Sequence, residues 1–526
     1  MNDRKSNRRF PVQMGGGPGM TRRGFIGASA CGALGVQAMA AGAAGHAAKR
    51  PNILFAIADD WSWPHAGAYG ARFVSTPVFD RVAREGCLFT NAFVAAPQCS
   101  PNRAATLTGR SIWQIAEAGT HASIFPDTFP VFPGLLEEAG YHVGFTGKGW
   151  GPGDFKRGGW ERNPAGPEFS KRRCKSVPAS GISRTDYAGN FQAFLEQRPK
   201  DAPFCFWYGS HEPHRGYEPG SGLKAGKRLE DAVVPPFLPD TPEVRSDILD
   251  YALEVEYYDR QLGEMLHTLD AAGELDNTLV VVTSDNGMPF PRAKATLYEY
   301  GTHMPLAIRW PAGLKLNGAV DALLSFIDFA PTFLDVAGVT VPASMTGHSF
   351  LGFLTGRSDE APRDAAFTGR ERHTHARFDN LGYPARAIRT ADHLYIRNLK
   401  PDRWPAGDPE GYHDIDGSPT KDFMMAHGSE YGGLFDMAFG KHPGEELYDI
   451  QADPGCLHDL AQSEAHASVR DTLRTRLEET LTDQGDPRML GTGDIFDSYP
   501  RVSTMRPQLG GFAERGEYNP KYRPDK

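Results

Sequence analysis

Asn52-Ile53-Leu54-Phe55-Ala56-Ile57-Ala58 runs without a charge into Asp59-Asp60. An unbroken apolar run, rather than an alternation, is the pattern of a strand buried on both faces. Thr278-Leu279-Val280-Val281-Val282-Thr283 repeats it and ends in Ser284-Asp285-Asn286-Gly287. Tyr141 to Thr146 leads into Gly147-Lys148, and Phe204-Cys205-Phe206-Trp207-Tyr208 leads to His211-Glu212-Pro213-His214. Between such runs lie amphipathic stretches. Val244, Ile248, Ala252, Val255, Leu262, Met265, Leu266 and Leu269 keep helical spacing after a Thr241-Pro242 start. Strands alternating with helices predict an α/β fold, with a mainly parallel sheet covered on both faces. Ligands of such sheets sit beyond the carboxyl ends of the strands. Four strands thus deliver acids, an amide, a lysine and histidines to one edge.

Cys99-Ser100-Pro101-Asn102-Arg103, closing on Thr108-Gly109-Arg110, supplies a different kind of group. Pro is favoured at the first position of a helix, where its missing N–H would be unpaired anyway. Ala104 to Leu107 can carry the helix and Gly109 can end it. Cys99 is therefore expected at a helix N-terminus, where backbone N–H groups attract an anion. Arg103 lies one turn on and can face the same place.

Asp59, Asp60, Asp285 and Asn286 offer only oxygen, which suits Ca²⁺, with Mg²⁺ the alternative, rather than zinc. Three carboxylates crowded together without a cation would repel strongly. Taken singly, Asp59-Asp60 and Asp285-Asn286-Gly287 read equally as strand-end turns.

The chain has 526 residues, enough for one large domain and a smaller one. A formal charge of −9 argues against a nucleic-acid partner. It does not exclude an anionic small substrate, because a few local cations dominate a pocket. Thr21-Arg22-Arg23-Gly24-Phe25-Ile26-Gly27 precedes an Ala/Gly-rich run from Ala28 to Ala48. A twin arginine before a modest apolar segment reads as a Tat signal over residues 1–48, cut between Ala43 and Ala48. The expected partner is then the Tat translocon, and the expected location periplasmic or otherwise exported. No later run is apolar and long enough for a transmembrane segment. Of six Cys, Cys31 leaves with the signal, and Cys87, Cys174, Cys205 and Cys456 lack metal-type spacing.

The Cys99-Ser100-Pro101-Asn102-Arg103 stretch with its downstream Thr108-Gly109 resembles the signature of the formylglycine-dependent sulfatases, Cys-x-Pro-x-Arg. Asn102 stands where Ser is usual. The resemblance extends from Pro51 to about Leu460 and implies an alkaline-phosphatase-like fold. This has a large mixed, mainly parallel sheet flanked by helices, with a smaller C-terminal α+β subdomain containing an antiparallel sheet. Expected boundaries are a catalytic domain over 49–360, a C-terminal subdomain over 361–485 and a tail over 486–526. Short strands at Ala385–Ile388 and Leu394–Arg397, and a helix near Ala465–Leu481, belong to that subdomain.

The resemblance further implies a maturation enzyme that oxidises Cys99 to Cα-formylglycine, whose hydrate attacks sulfur. It implies a divalent cation on Asp59, Asp60, Cys99, Asp285 and Asn286. Arg103 would hold the hydrate. Lys148, Lys294 and His211 would hold sulfate, with His211 also the proton donor. Arg292 competes with Lys294 for its place. Many sulfatases carry His two positions after the lysine, where this chain has Trp150. Trp150, His214, Arg292 and the loop residues Arg370, Glu371 and His373 are the expected sugar contacts, although that loop reads equally as exposed and polar.

Four stretches lean toward the heparan N-sulfatase, or sulfamidase, lineage. They are Ser210-His211-Glu212-Pro213-His214-Arg215, Val233 to Pro242, Ser284 to Pro291 and Gly382 to Arg389. The implied substrate is a sulfated saccharide, favouring N-sulfoglucosamine ends of heparan fragments. A sugar O-sulfatase or arylsulfatase, a phosphonate or phosphate monoester hydrolase, and a non-catalytic polyanion-binding protein are the alternatives.

Overall fold

The run Asn52–Ala58 is a strand (β1) with every residue buried. Ile53, Phe55 and Ile57 pack on one side with Phe329 and Phe333, while Leu54, Ala56 and Ala58 pack on the other with Trp61 and Phe79. Both faces are core, which is why the run carries no polar alternation. Burying each large apolar side chain contributes roughly 1.5–3 kcal/mol. The computed structural model describes residues 49–503 together with 506 and 509, and the expected export signal lies outside these described residues.

Six further strands complete the main sheet: β2 (Cys87–Phe93), β3 (His142–Gly147), β4 (Phe204–Gly209), β5 (Thr278–Ser284), β6 (His303–Arg309) and β7 (Gly318–Ser325). Their order is β3-β4-β1-β5-β6-β2-β7. β3, β4, β1 and β5 are parallel, and β6 runs against both its neighbours. The sequence reading located β1, β3, β4 and β5, the strands that end in chemistry. It left β2, β6 and β7 unassigned.

A helix over Cys99–Thr108 (α1) and a long helix over Pro242–Ala271 (α2) pack against this sheet. The Thr241 hydroxyl caps α2 by accepting from Val244 N at 3.4 Å. A second sheet holds β8 (Ala366–Arg370), β9 (Ala385–Arg389), β10 (His393–Asn398) and β11 (Glu445–Asp449), antiparallel throughout in the order β11-β10-β9-β8. A helix over Pro419–His427 (α3) precedes β11, and another over Ala467–Asp483 (α4) follows it. Leu473, Leu477 and Leu481 of α4 share a cluster with Ile388, Tyr395 and Leu447. The mixed α/β architecture is as expected.

The described part of the tail wraps back on the body. Asp486 accepts from Arg386 Nε at 2.7 Å, and the carbonyls of Tyr499 and Pro500 accept from Arg372 at 2.6 and 3.1 Å. Cys87, Cys99, Cys174, Cys205 and Cys456 are free thiols. Among the described residues no helix is long and apolar enough to cross a membrane.

Candidate active site

The register of the parallel strands assembles the site. Ala58 pairs with Ser284 across β1 and β5, so Asp59-Asp60 and Asp285-Asn286 leave the sheet side by side. Gly147 pairs with Gly209 across β3 and β4, which brings Lys148 to the same edge. Gly147 lies at φ +74°, and a Cβ there would meet Gly209 O at 2.2 Å, so only glycine allows this approach. Asp59 N donates to Glu212 O at 3.0 Å and ties in the His211–His214 loop.

Cys99 is the first residue of α1, and Pro101 is its third rather than the expected first. Gly109 closes the helix in the left-handed region at φ +62°. Every residue from Cys99 to Thr108 is buried. Asn102 joins the helix to the strand ends: its Oδ1 accepts from Ala95 N at 3.0 Å and its Nδ2 donates to Asp285 O at 2.7 Å.

Around Cys99, carboxylates alternate with cations. Cys99 Sγ lies 3.3 Å from Asp59 Oδ1 and 3.9 Å from Asp60 Oδ1. Lys148 Nζ donates to both Asp59 oxygens at 2.8 and 2.6 Å. Lys294 Nζ donates to Asp60 Oδ2 at 2.7 Å, and Arg103 Nε to Asp285 Oδ2 at 2.6 Å. Burial would push the Asp59 carboxyl up, but Lys148, His214, Arg103 and Lys294 together hold it well below the usual range. Burial, then the Asp59 charge, push the Cys99 thiol well above its ordinary value. A thiol so placed is a poor nucleophile as it stands.

The donor set fits a hard divalent cation. Oxygens of Asp59, Asp60 and Asp285 and the sulfur of Cys99 lie within 4.8 Å of one another. Asn286 Nδ2 donates to Asp60 Oδ1 at 2.7 Å, and the amide's Oδ1 is buried beside it. That buried Oδ1 has no hydrogen-bond partner. An acceptor left so costs about 1–3 kcal/mol, which a cation would offset.

A cavity of about 550 Å³ opens over this group, bordered by Asp59, Lys148, Trp150, His211 and His214. Its size suits a small saccharide. A larger groove of about 800 Å³ along α2, bordered by Ser75, Asp186, Arg260 and His267, holds none of the site residues.

The two histidines separate here. His211 is exposed at the cavity rim, yet desolvation of its ring, only partly opposed by the Asp59 charge, lowers its pKa. His214 Nε2 reaches to 3.9 Å from Asp60 Oδ2, while its Nδ1 lies 2.6 Å from Arg215 O. A carbonyl can only accept, so Nδ1 carries a hydrogen and Nε2 is the nitrogen that exchanges a proton. Arg215 fixes this loop through a bidentate pair with Asp247 at 2.6 and 2.7 Å. His214, expected as a sugar contact, thus turns Nε2 toward Asp60, while His211 borders the cavity with Asp59 and Lys148.

Several expected sugar contacts are turned elsewhere. Arg292 donates to the carbonyls of Met437 and Cys456 and stacks 3.9 Å over the Tyr298 ring, so Lys294 is the cation that reaches Asp60. Arg370, Glu371 and His373 are buried rather than exposed. Arg370 pairs with Asp414 at 2.9 Å, and Glu371 accepts from Arg386 and Arg488 at 2.8 and 2.7 Å. The buried His373 ring packs on His121, 3.6 Å from Asp414 Oδ1. Their partners come from distant segments, so the charges neutralise one another inside the protein.

Trp150 borders the cavity, but its indole is 3% exposed, packs on Phe125 and donates to Ser100 O at 3.1 Å. It braces the start of α1. Trp150→Ala is expected to cost about 3–5 kcal/mol. The melting temperature and kcat/KM on every substrate should fall together. A shift in sugar choice at unchanged stability would contradict this bracing role.

Sequence reading missed Asp416, whose Oδ2 accepts from Lys294 Nζ at 3.0 Å. Its only signal was the acid alternation in Asp414-Ile415-Asp416-Gly417.

Residues 51–339 match the protein family described as Sulfatase, and residues 292–405 match N-sulphoglucosamine sulphohydrolase, C-terminal. The human N-sulphoglucosamine sulphohydrolase is 30% identical over 485 residues, covering 86% of this chain and 93% of that protein. An ulvan-active sulfatase of Formosa agariphila is 29% identical over 443 residues, covering 83% and 81%. The solved complex of BT4656 with its substrate D-glucosamine-2-N,6-O-disulfate shares the fold, with a TM-score of 0.62 at 22% identity over 84% of this chain and 99% of that one.

Proposed function

The chain belongs to the sulfatase family and is a sulfuric ester hydrolase; from that premise we propose that its substrate is a sulfated sugar, N-sulfoglucosamine at the end of a heparan fragment being favoured. The observation that carries the reading is the convergence of Cys99, at the start of α1, on Asp59, Asp60 and Asp285 with two lysines beside them. The heparan lean rests on the four lineage stretches and on the match of residues 292–405.

Once a maturation enzyme has oxidised Cys99 to formylglycine, that position supplies the nucleophile toward sulfur. Asp59, Asp60, Asp285, Asn286 and position 99 would hold a Ca²⁺, or Mg²⁺, which would supply positive charge for a bound sulfate. The chain's own side chains do the rest. Lys148 and Lys294 hold the sulfate and stabilise charge that grows on its oxygens. Arg103 braces Asp285, and its buried Nη2, without a hydrogen-bond partner, is left for the hydrate at position 99. His214 Nε2 gives a proton to the departing nitrogen or oxygen, and His211 meets the sugar at the rim. The twin-arginine segment supports export through the Tat translocon to the periplasm.

The test is kcat/KM measured side by side on N-sulfoglucosamine and glucosamine 6-O-sulfate. The sulfamate is expected to be the better substrate. A higher value for the 6-O-sulfate would replace the N-sulfate reading with a sugar O-sulfatase, leaving the site chemistry intact.

A further inference from the structure

Asp416 stands apart from the other acids of the site. The side chains of Asp59, Asp60 and Asp285 are 2%, 0% and 0% exposed, whereas that of Asp416 is 29% exposed. It comes from the segment before α3, far in sequence from the strand ends that supply the others. Lys294 bridges it to the site, with Nζ 2.7 Å from Asp60 Oδ2 and 3.0 Å from Asp416 Oδ2. Among the described residues nothing donates to its Oδ1. A carboxylate has about four lone-pair positions, and Lys294 uses one.

Asp416 does not itself border the 550 Å³ cavity, but it lies beside His214, which does, and its unshared oxygen gains when an entering substrate gives it a hydrogen bond. Geometry says from which atom. Ligating atoms of Asp60, His214 and Asp416 lie within 4.8 Å of one another. Two groups that close can both bond one atom between them, since each hydrogen bond spans about 2.8 Å. The atom that takes a proton from His214 is the one that bridges sugar and sulfur. In a sulfamate this is a nitrogen, with a lone pair for His214 and a hydrogen for Asp416. In a sulfate ester it is an oxygen, with lone pairs only.

We infer that Asp416 is a specificity-determining residue that accepts the N–H of a sulfamate and disfavours the bridging oxygen of an ester. The inference rests on the sulfatase reading above, and it gives the N-sulfate preference a physical cause in this chain. A site built to bond a substrate N–H leaves its own acceptor unpaired when that hydrogen is missing.

The experiment compares wild type with Asp416→Ala, which leaves no acceptor, on N-sulfoglucosamine and glucosamine 6-O-sulfate, and adds the inhibition constant of inorganic sulfate. Both substrates are measured on one preparation, so any loss of folded enzyme cancels in their ratio. The N-over-O preference is expected to fall about 10- to 100-fold, as for the loss of one charged hydrogen bond. The sulfate inhibition constant should change much less. An unchanged ratio would overturn the inference while wild-type preference for the sulfamate still supports the substrate reading. Equal losses on both substrates with weaker sulfate inhibition would assign Asp416 to positioning Lys294 and also overturn it. Wild type that prefers the 6-O-sulfate, or cleaves neither sugar, would remove the substrate reading and this inference together.

Discussion

Cys99→Ala is expected to reduce sulfate release by about four to six orders of magnitude, the scale on which an enzyme loses rate with its nucleophile. The thiol is 1% exposed, and its near polar neighbours are Asp59 and Asp60. Removing a sulfur beside two carboxylates creates only a small cavity, about 1 kcal/mol by analogy with single-methyl deletions. Activity should therefore vanish while the melting temperature moves by only a few degrees. Mass spectrometry of the peptide around position 99 should show formylglycine in active wild type. Full turnover in Cys99→Ala would remove position 99 from the chemistry, whatever its surroundings.

Asp285→Asn should lower divalent-cation content and turnover together. Asp285 accepts from Arg103 Nε at 2.6 Å and from Asp60 N at 3.2 Å, with no exposure. The substitution keeps the shape and removes the charge. Arg103 would then be a buried cation facing a neutral amide, a change that costs about 3–5 kcal/mol when a buried pair loses a partner. Elemental analysis beside an activity assay reads the effect. Zinc at full occupancy, or an active enzyme with no bound metal, would refute an oxygen-ligated hard cation.

Acid should act in the same direction. Burial, then the nearby Asp59 and Asp60 charges working against Arg103 and Lys148, leave the Asp285 carboxyl pushed up to about 6. Protons and the cation compete for that oxygen. Cation affinity should be near its plateau above that pH and fall as pH drops through it.

Much of this molecule was legible in the chain because parallel strands buried on both faces leave unbroken apolar runs. Ile53 to Ala58 and Leu279 to Thr283 need no knowledge of their neighbours to be read so. Their chemistry follows at once in sequence, as Asp59-Asp60 and Asp285-Asn286. Cys99 and Arg103 are likewise close along the chain, and one helical turn relates them. β2 and β7 escaped because their patterns are mixed, β2 being partly half-buried and β7 beginning exposed, and β6 escaped because it is buried throughout yet carries His303, Pro305 and Arg309.

Partner choice was a matter for tertiary structure. In sequence, Arg292 and Lys294 are near-equivalent alternatives on one loop, and His211 reads as the proton donor with His214 as a sugar contact. Only the packed protein turns His214 toward Asp60 and commits Arg292 to carbonyls near residues 437 and 456. The charged run at 370–375 shows the same limit from the other side. It reads equally as a solvated loop or a sugar-binding loop until Asp414, Arg386 and Arg488 arrive from 15 to 117 residues away to pair with it. Asp416 enters the site through a lysine 122 positions earlier. What the sequence by itself determined is what short-range covalent spacing and burial periodicity dictate: the central strands, their acidic ends and the helix bearing Cys99. What only the tertiary structure decided is which charges face the substrate, because a buried charge is held by its partner, and the partner is chosen by the fold.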